Sequence, residues 1–92
     1  MALRILSSPS ESTAPSEIAD DLKRSIEAAL PDAGVVVTPV SPGHFEIRVT
    51  SDAFTGKSRV QQQQLVYAAI AHLMKGDAAP VHAIDRLQTE PV

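Results

Sequence analysis

The chain contains no cysteine and no tryptophan, and its aromatic residues are limited to Phe45, Phe54 and Tyr67. Without thiols there is no disulfide framework, no cysteine nucleophile and no thiolate ligand. That composition suits a reducing compartment, and a cytoplasmic location is expected. With so few rings, the core has to be mainly aliphatic, and aromatic platforms for stacking nucleobases are missing. No apolar run approaches the ~20 residues of a membrane-spanning helix, so no membrane association is expected. Positive charge is scarce as well: 8 Lys and Arg stand against 11 Asp and Glu, a formal net charge of −3. This balance excludes a global attraction to nucleic acid or anionic membrane. Glu46 and Asp52 are isolated carboxylates, and no serine or threonine sits in a nucleophile elbow, so no enzyme is expected. Soft-metal or redox chemistry is therefore left to His44, His72 and His82, or to a partner.

What is present suffices for one small domain of two layers. Residues 1–15, MALRILSSPSESTAP, are Ser/Pro-rich and without periodicity, and they read as a disordered tail. The Ala2–Leu6 segment is too short for a secretory leader, and Glu11 argues against an organelle transit peptide. The folded domain is expected over residues 16–88, with 89–92 as a short C-terminal tail.

Ser16 is placed to cap a first helix, with Glu17 and Asp20 in its first turn. Ile18, Leu22, Ile26 and Leu30 then recur every four residues, with Ala29 alongside, and Pro31 stops the helix. Val35-Val36-Val37-Thr38 is β-branched throughout and reads as a strand, which Pro39 consigns to a sheet edge or a bulge. After the turn Ser41-Pro42-Gly43, Phe45, Ile47 and Val49 alternate with His44, Glu46, Arg48 and Thr50. This period of two places the apolar set inward and completes a hairpin. Thr55-Gly56 is a turn. A long helix is predicted from Ser58 to Lys75, with Val66, Ile70 and Leu73 on one face, Tyr67 and Met74 beside it, and Gly76 as C-cap. Glutamines 61–64 continue it. A last strand is predicted over Val81–Leu87, so the order is α-β-β-α-β with helices on one side of a three-stranded sheet.

Gly56-Lys57-Ser58 invites comparison with a phosphate-binding loop, but that motif requires a glycine five residues before its Gly-Lys, and Ser51 stands there. As a structural element, Phe54-Thr55-Gly56-Lys57 is a strand-to-helix turn: Gly56 supplies an unusual φ and Phe54 plugs the end of the core. As a functional element, it puts a helix N-terminus beside Lys57 and Arg59, which suits a backbone phosphate or an acidic partner. The structural reading is preferred. His72 falls on the polar side of the long helix and reads as surface. His44, at the mouth of the hairpin, and His82, at the start of the last strand, have bland readings as exposed or hydrogen-bonded strand-end residues. There is no local His/carboxylate spacing that completes a metal site. Brought together by the fold, two histidines supply half of one.

The run His44-Phe45, Ser51-Asp52-Ala53-Phe54-x-Gly56-Lys57-Ser58-x-Val60, Gln64-Leu65-Val66-Tyr67-Ala68-Ala69 and Val81-His82-Ala83-Ile84 resembles the BolA family, over Ser16 to about Leu87. The resemblance implies an α+β fold similar to the class II KH domain, α-β-β-α-α-β, with a short helical piece before the long helix, for which Ser58–Gln61 is the candidate. It also implies a partnership with a monothiol glutaredoxin and a shared, bridging 2Fe–2S cluster. Glutaredoxin would provide one cysteine and bound glutathione a second thiolate. By motif, His82 matches the family's C-terminal histidine ligand, and His44 is the candidate for the second. Imidazole ligation of one iron is similar to the Rieske arrangement, which raises the potential. Two histidines without a thiol cannot complete a cluster alone, so the free protein is expected as a monomer or weak dimer that needs its partner.

A second expectation follows from the KH-like fold, in which a glycine-containing turn and adjoining helix bind single-stranded nucleic acid. Gly56, Lys57 and Arg59 would form that surface in a transcriptional regulator. The turn has one glycine rather than two, and the helix carries Gln61 to Gln64 where relatives often have Arg or His, so DNA binding would be weak and salt-sensitive.

Overall fold

The computed structural model describes residues 14–92; residues 1–13 of the expected tail lie outside the described residues. Helix α1 spans Pro15–Ala29 and begins one residue before Ser16. Ala14 takes the N-cap position without a side chain to cap with, and Glu17 reaches back to accept from its N–H at 3.3 Å. Pro15 suits the first helical position because its fixed φ is already helical and its missing donor is not needed there. Ile18, Leu22, Ile26 and Leu30 are buried as their spacing predicts. Their buried alanine neighbour is Ala19, however, while Ala29 is exposed.

Strands β1 (Gly34–Ser41) and β2 (His44–Thr50) pair antiparallel across the Pro42-Gly43 turn, with Val35 opposite Val49 and Val37 opposite Ile47. Pro39 lies on an outer strand, and the register shifts between it and Ser41, as a residue without an N–H requires. Strand β3 (Ala83–Glu90) runs parallel to β2 on its other side, so the sheet order is β1-β2-β3. It ends later than Leu87: Thr89 is buried, and Ser51 N–H donates to Glu90 O at 3.1 Å, so residues 89–90 belong to the sheet rather than to a tail.

Between β2 and β3 the chain makes one 3-10 turn at Asp52–Phe54, then helix α2 at Arg59–Ile70, then a second 3-10 turn at Ala71–Leu73. The short helical piece is thus Asp52–Phe54. Ser58–Gln61 instead starts α2: Ser58 Oγ accepts from Gln61 N–H at 3.1 Å while Gln61 Oε1 accepts from Ser58 N–H at 3.0 Å. This reciprocal cap satisfies two otherwise orphaned donors. The helix closes before Lys75: Met74 N–H donates three residues back to Ala71 O at 3.0 Å, Leu73 O accepts from Val81 N–H at 3.2 Å, and Gly76 turns the chain afterwards at φ +84°.

Helices α1 and α2 cover one face of the sheet. Leu22, Ile26, Phe45, Val49, Phe54, Val66 and Ile70 are each fully buried between the layers. The core is mainly aliphatic, but its two largest side chains are the phenylalanines. Burying a side chain of this size contributes roughly 1.5–3 kcal/mol. The opposite face of the sheet, with Val36 60% exposed and Arg48, Arg86 and Gln88 around it, is open. No described helix is long and apolar enough to cross a membrane.

Candidate functional site

Because β3 runs parallel to β2, His44 and His82 come to the same end of the sheet, and Gly56, Lys57 and Arg59 come to the other. The length of β2 separates the two ends, about 20 Å at ~3.3 Å per residue.

At the histidine end, His44 opens β2 and is paired in register with Ala83, the residue after His82. The two histidines thus stand at the same end of neighbouring chain segments, offset by one residue in register. His82 stands one residue before β3 rather than within it. Its N–H donates to Gly43 O at 2.8 Å, and Ala83 N–H donates to the same oxygen at 3.1 Å. Gly43, at φ +78°, also makes room for the His82 ring: a Cβ there would lie 2.6 Å from His82 Nδ1. The His82 side chain is exposed, and that of His44 is 40% exposed, with Nδ1 2.8 Å from Asp85 Oδ1. Sequence reasoning missed Asp85. The spacing of Ile84, Leu87 and Thr89, which breaks the alternation of a regular strand, is the signal that marks its position.

Two imidazoles, both accessible, are a donor set suited to iron or zinc. Among the described residues no group of three or more His, Cys, Asp or Glu side chains gathers. His72 is exposed, 3.3 Å from Ser25 Oγ, and links the second 3-10 turn to α1.

At the other end the polar groups hold the chain to itself. Gly56 adopts φ +79° and Phe54 is fully buried, as the structural reading of the turn requires. Gln62, expected only to continue a helix, is 6% exposed, and its Nε2 donates to Phe54 O at 3.2 Å and Lys57 O at 3.0 Å. Its Oε1 accepts from Thr89 Oγ1 at 2.7 Å, joining turn, helix and last strand. Asp32, just after α1, accepts from Ser51 Oγ at 2.9 Å and from Asp52 N–H at 2.7 Å. The Asp52 amide, then the Ser51 hydroxyl, hold the Asp32 carboxyl below the ordinary carboxylate range. Lys57 and Arg59 are exposed at the start of α2, next to this network.

Comparison with known proteins agrees with this fold. A family model described as BolA-like protein matches residues 18–90. An Acinetobacter guillouiae protein known as the uncharacterized protein in the rpoN-murA intergenic region is 36% identical over 66 residues, which cover 71% of this chain and 75% of that one. Human BolA-like protein 1 is 43% identical over 51 residues, which cover 55% of this chain and 35% of the human protein. The chain therefore matches about a third of the human protein's length. Among solved structures, a bolA protein homologue from Coxiella burnetii has a TM-score of 0.64 at 30% identity, covering 78% of this chain and 87% of that one. The BolA domain of SufE1 from Arabidopsis thaliana has a TM-score of 0.71 at 24% identity, covering 85% and 95%, a likeness of fold.

Proposed function

The chain belongs to the BolA-like family, and from that premise we propose that it is a non-enzymatic adaptor that docks on a monothiol glutaredoxin and contributes His82 and His44 to a bridging 2Fe–2S cluster. The role is in iron–sulfur cluster trafficking or in iron and redox regulation. One observation carries the reading: the fold brings two accessible imidazoles, from adjacent strand starts, to one end of the sheet, and among the described residues no group of three or more His, Cys, Asp or Glu gathers to hold a metal without a partner. When bound, the cluster supplies a redox-active, transferable group whose imidazole-ligated iron is held more weakly than by thiolate. His82 is seated by Gly43, and both its exposed ring and that of His44 are available to an incoming protein. Glutaredoxin cysteine and glutathione would provide the thiolates that this sequence lacks.

The test is reconstitution. The purified protein is mixed with a monothiol glutaredoxin, glutathione, iron and sulfide, and the visible absorption and circular dichroism are recorded. A mixed-complex spectrum distinct from that of glutaredoxin alone is expected, and it should be lost in His82→Ala and altered in His44→Ala. An unchanged spectrum in His82→Ala overturns the ligand role. Titration of labelled single-stranded DNA examines the alternative regulator role. Binding at low salt that disappears in a Lys57→Ala, Arg59→Ala double variant would move the function to the other end of the sheet.

A further inference from the structure

The pairing of β3 with β2 is not continuous. Phe45 pairs with Ile84 and the next residue, Glu46, pairs with Arg86, so one residue of β3 has no partner on β2. That residue is Asp85. A bulge of this kind re-aims the side chain of the extra residue and breaks the alternation of its strand. Here Ile84 and Leu87 both pack against the core although three positions apart, which only an inserted residue between them allows. The carboxylate of the inserted residue meets the side chain of His44, with Oδ1 2.8 Å from Nδ1.

The chemistry of that contact is one-sided. An ionised carboxylate only accepts hydrogen bonds, so the proton between the two atoms belongs to the imidazole. A neutral imidazole carries one N–H, and placing it on Nδ1 leaves the lone pair on Nε2. Metal-binding histidines are commonly held this way, with the non-ligating nitrogen donating to a carboxylate that sets tautomer and ring orientation. We propose that Asp85 is a positioning residue: the β3 bulge exists to aim its carboxylate at His44, which fixes the Nδ1–H tautomer and presents Nε2 as the ligand atom. The proposal rests on the reading of His44 as a cluster ligand, but the tautomer is a property of the protein alone and is measured without iron.

The pair is braced reciprocally. The turn before β2 seats His82 through Gly43, and β3 holds His44 through Asp85. Each histidine is therefore held by the chain segment next to the other, so a displacement of β3 against β2 disturbs both together.

The experiment is long-range proton–nitrogen correlation NMR of the full chain labelled on its histidines, followed upward in pH until the ring nitrogen signals no longer change. His44 is expected as Nδ1–H in the wild-type protein. In Asp85→Ala it should revert to the mixture, rich in Nε2–H, of an unconstrained ring, with the backbone spectrum otherwise preserved. A wild-type His44 protonated on Nε2, or identical spectra in wild type and Asp85→Ala, overturns the proposal. In the reconstituted glutaredoxin complex, Asp85→Ala should release the cluster about ten-fold faster than wild type, the lower end of what outer partners of a metal ligand usually contribute. An unchanged release rate with the tautomer freed overturns the positioning role. Failure of the wild-type proteins to form a mixed cluster defeats the glutaredoxin reading instead, and the iron-free tautomer measurement still decides the brace.

Discussion

The two ends of β2 use polar residues in opposite ways. At the Thr50 end, Ser51, Gln62 and Thr89 are buried, and every buried side-chain polar atom among the described residues has a partner. At the His44 end the polar groups are partly or fully exposed, and the contacts that hold them are short links between neighbouring strands. Buried and satisfied polar groups specify a fold, because leaving any one of them unpaired costs about 1–3 kcal/mol. Exposed, braced imidazoles contribute little to stability and remain available for chemistry. The most motif-like segment of the sequence, Phe54 to Arg59, thus lies at the structural end, and the two separated histidines lie at the end proposed to bind the cluster.

Substitutions can break this division, and the largest effect is expected at the structural end. Phe54→Ala should destabilise the protein by about 3–5 kcal/mol, read from urea denaturation, since it empties a fully buried site. A loss under about 1 kcal/mol would show that the turn is dispensable. Thr89→Val should cost about 1–3 kcal/mol by stranding Gln62 Oε1, and it probes directly whether the last residues belong to the domain. Gly43→Ala should cost about 1–3 kcal/mol for a side chain at positive φ and should also displace the His82 ring, changing the mixed-cluster spectrum. Wild-type cluster formation in that variant would separate His82's position from its turn.

Asp32 sharpens the comparison through pH. Its folded-state carboxyl is held below the ordinary value of 3.8, so it stabilises the fold above that value. The contribution is lost as pH falls from about 3.8 through the lower folded value. Asp32→Asn should therefore be less stable than wild type at neutral pH, with the gap closing in the acid range. A gap independent of pH would mean that the carboxylate charge plays no part. The smallest stability effect belongs to the reactive end: His82→Ala should change denaturation by no more than about 0.5 kcal/mol while removing the cluster spectrum.

Much of the architecture was legible wherever a local period met a buried face. The four-residue spacing from Ile18 to Leu30 and the alternation from His44 to Thr50 predicted α1 and β2, and Pro39 marked the sheet edge. The boundaries were less legible. Ser16 looked like a cap by residue type, but Pro15 starts the helix more effectively. The end of the long helix is not legible locally, since its last turn tightens to 3-10 at Ala71–Leu73 and Leu73 O finds its partner in Val81, eight positions away. The last strand was cut short at Leu87, since the bulge at Asp85 shifts its inward positions from Ile84 to Leu87 and Thr89 and hides the alternation.

The same division holds for function. By itself the sequence determined that histidine is present and thiol absent, that the core is mainly aliphatic, and the order of elements, because composition and short-range periodicity do not depend on which strands meet. Only the tertiary structure decided that β3 lies parallel beside β2, which puts His44 and His82 at one end and the glycine turn at the other. It alone showed Gln62 bound to Thr89 across 27 positions, Ser51 to Asp32 across 19, and Asp85 to His44 across 41. Those contacts join segments with no shared period, so their partners become visible only once the chain has closed on itself.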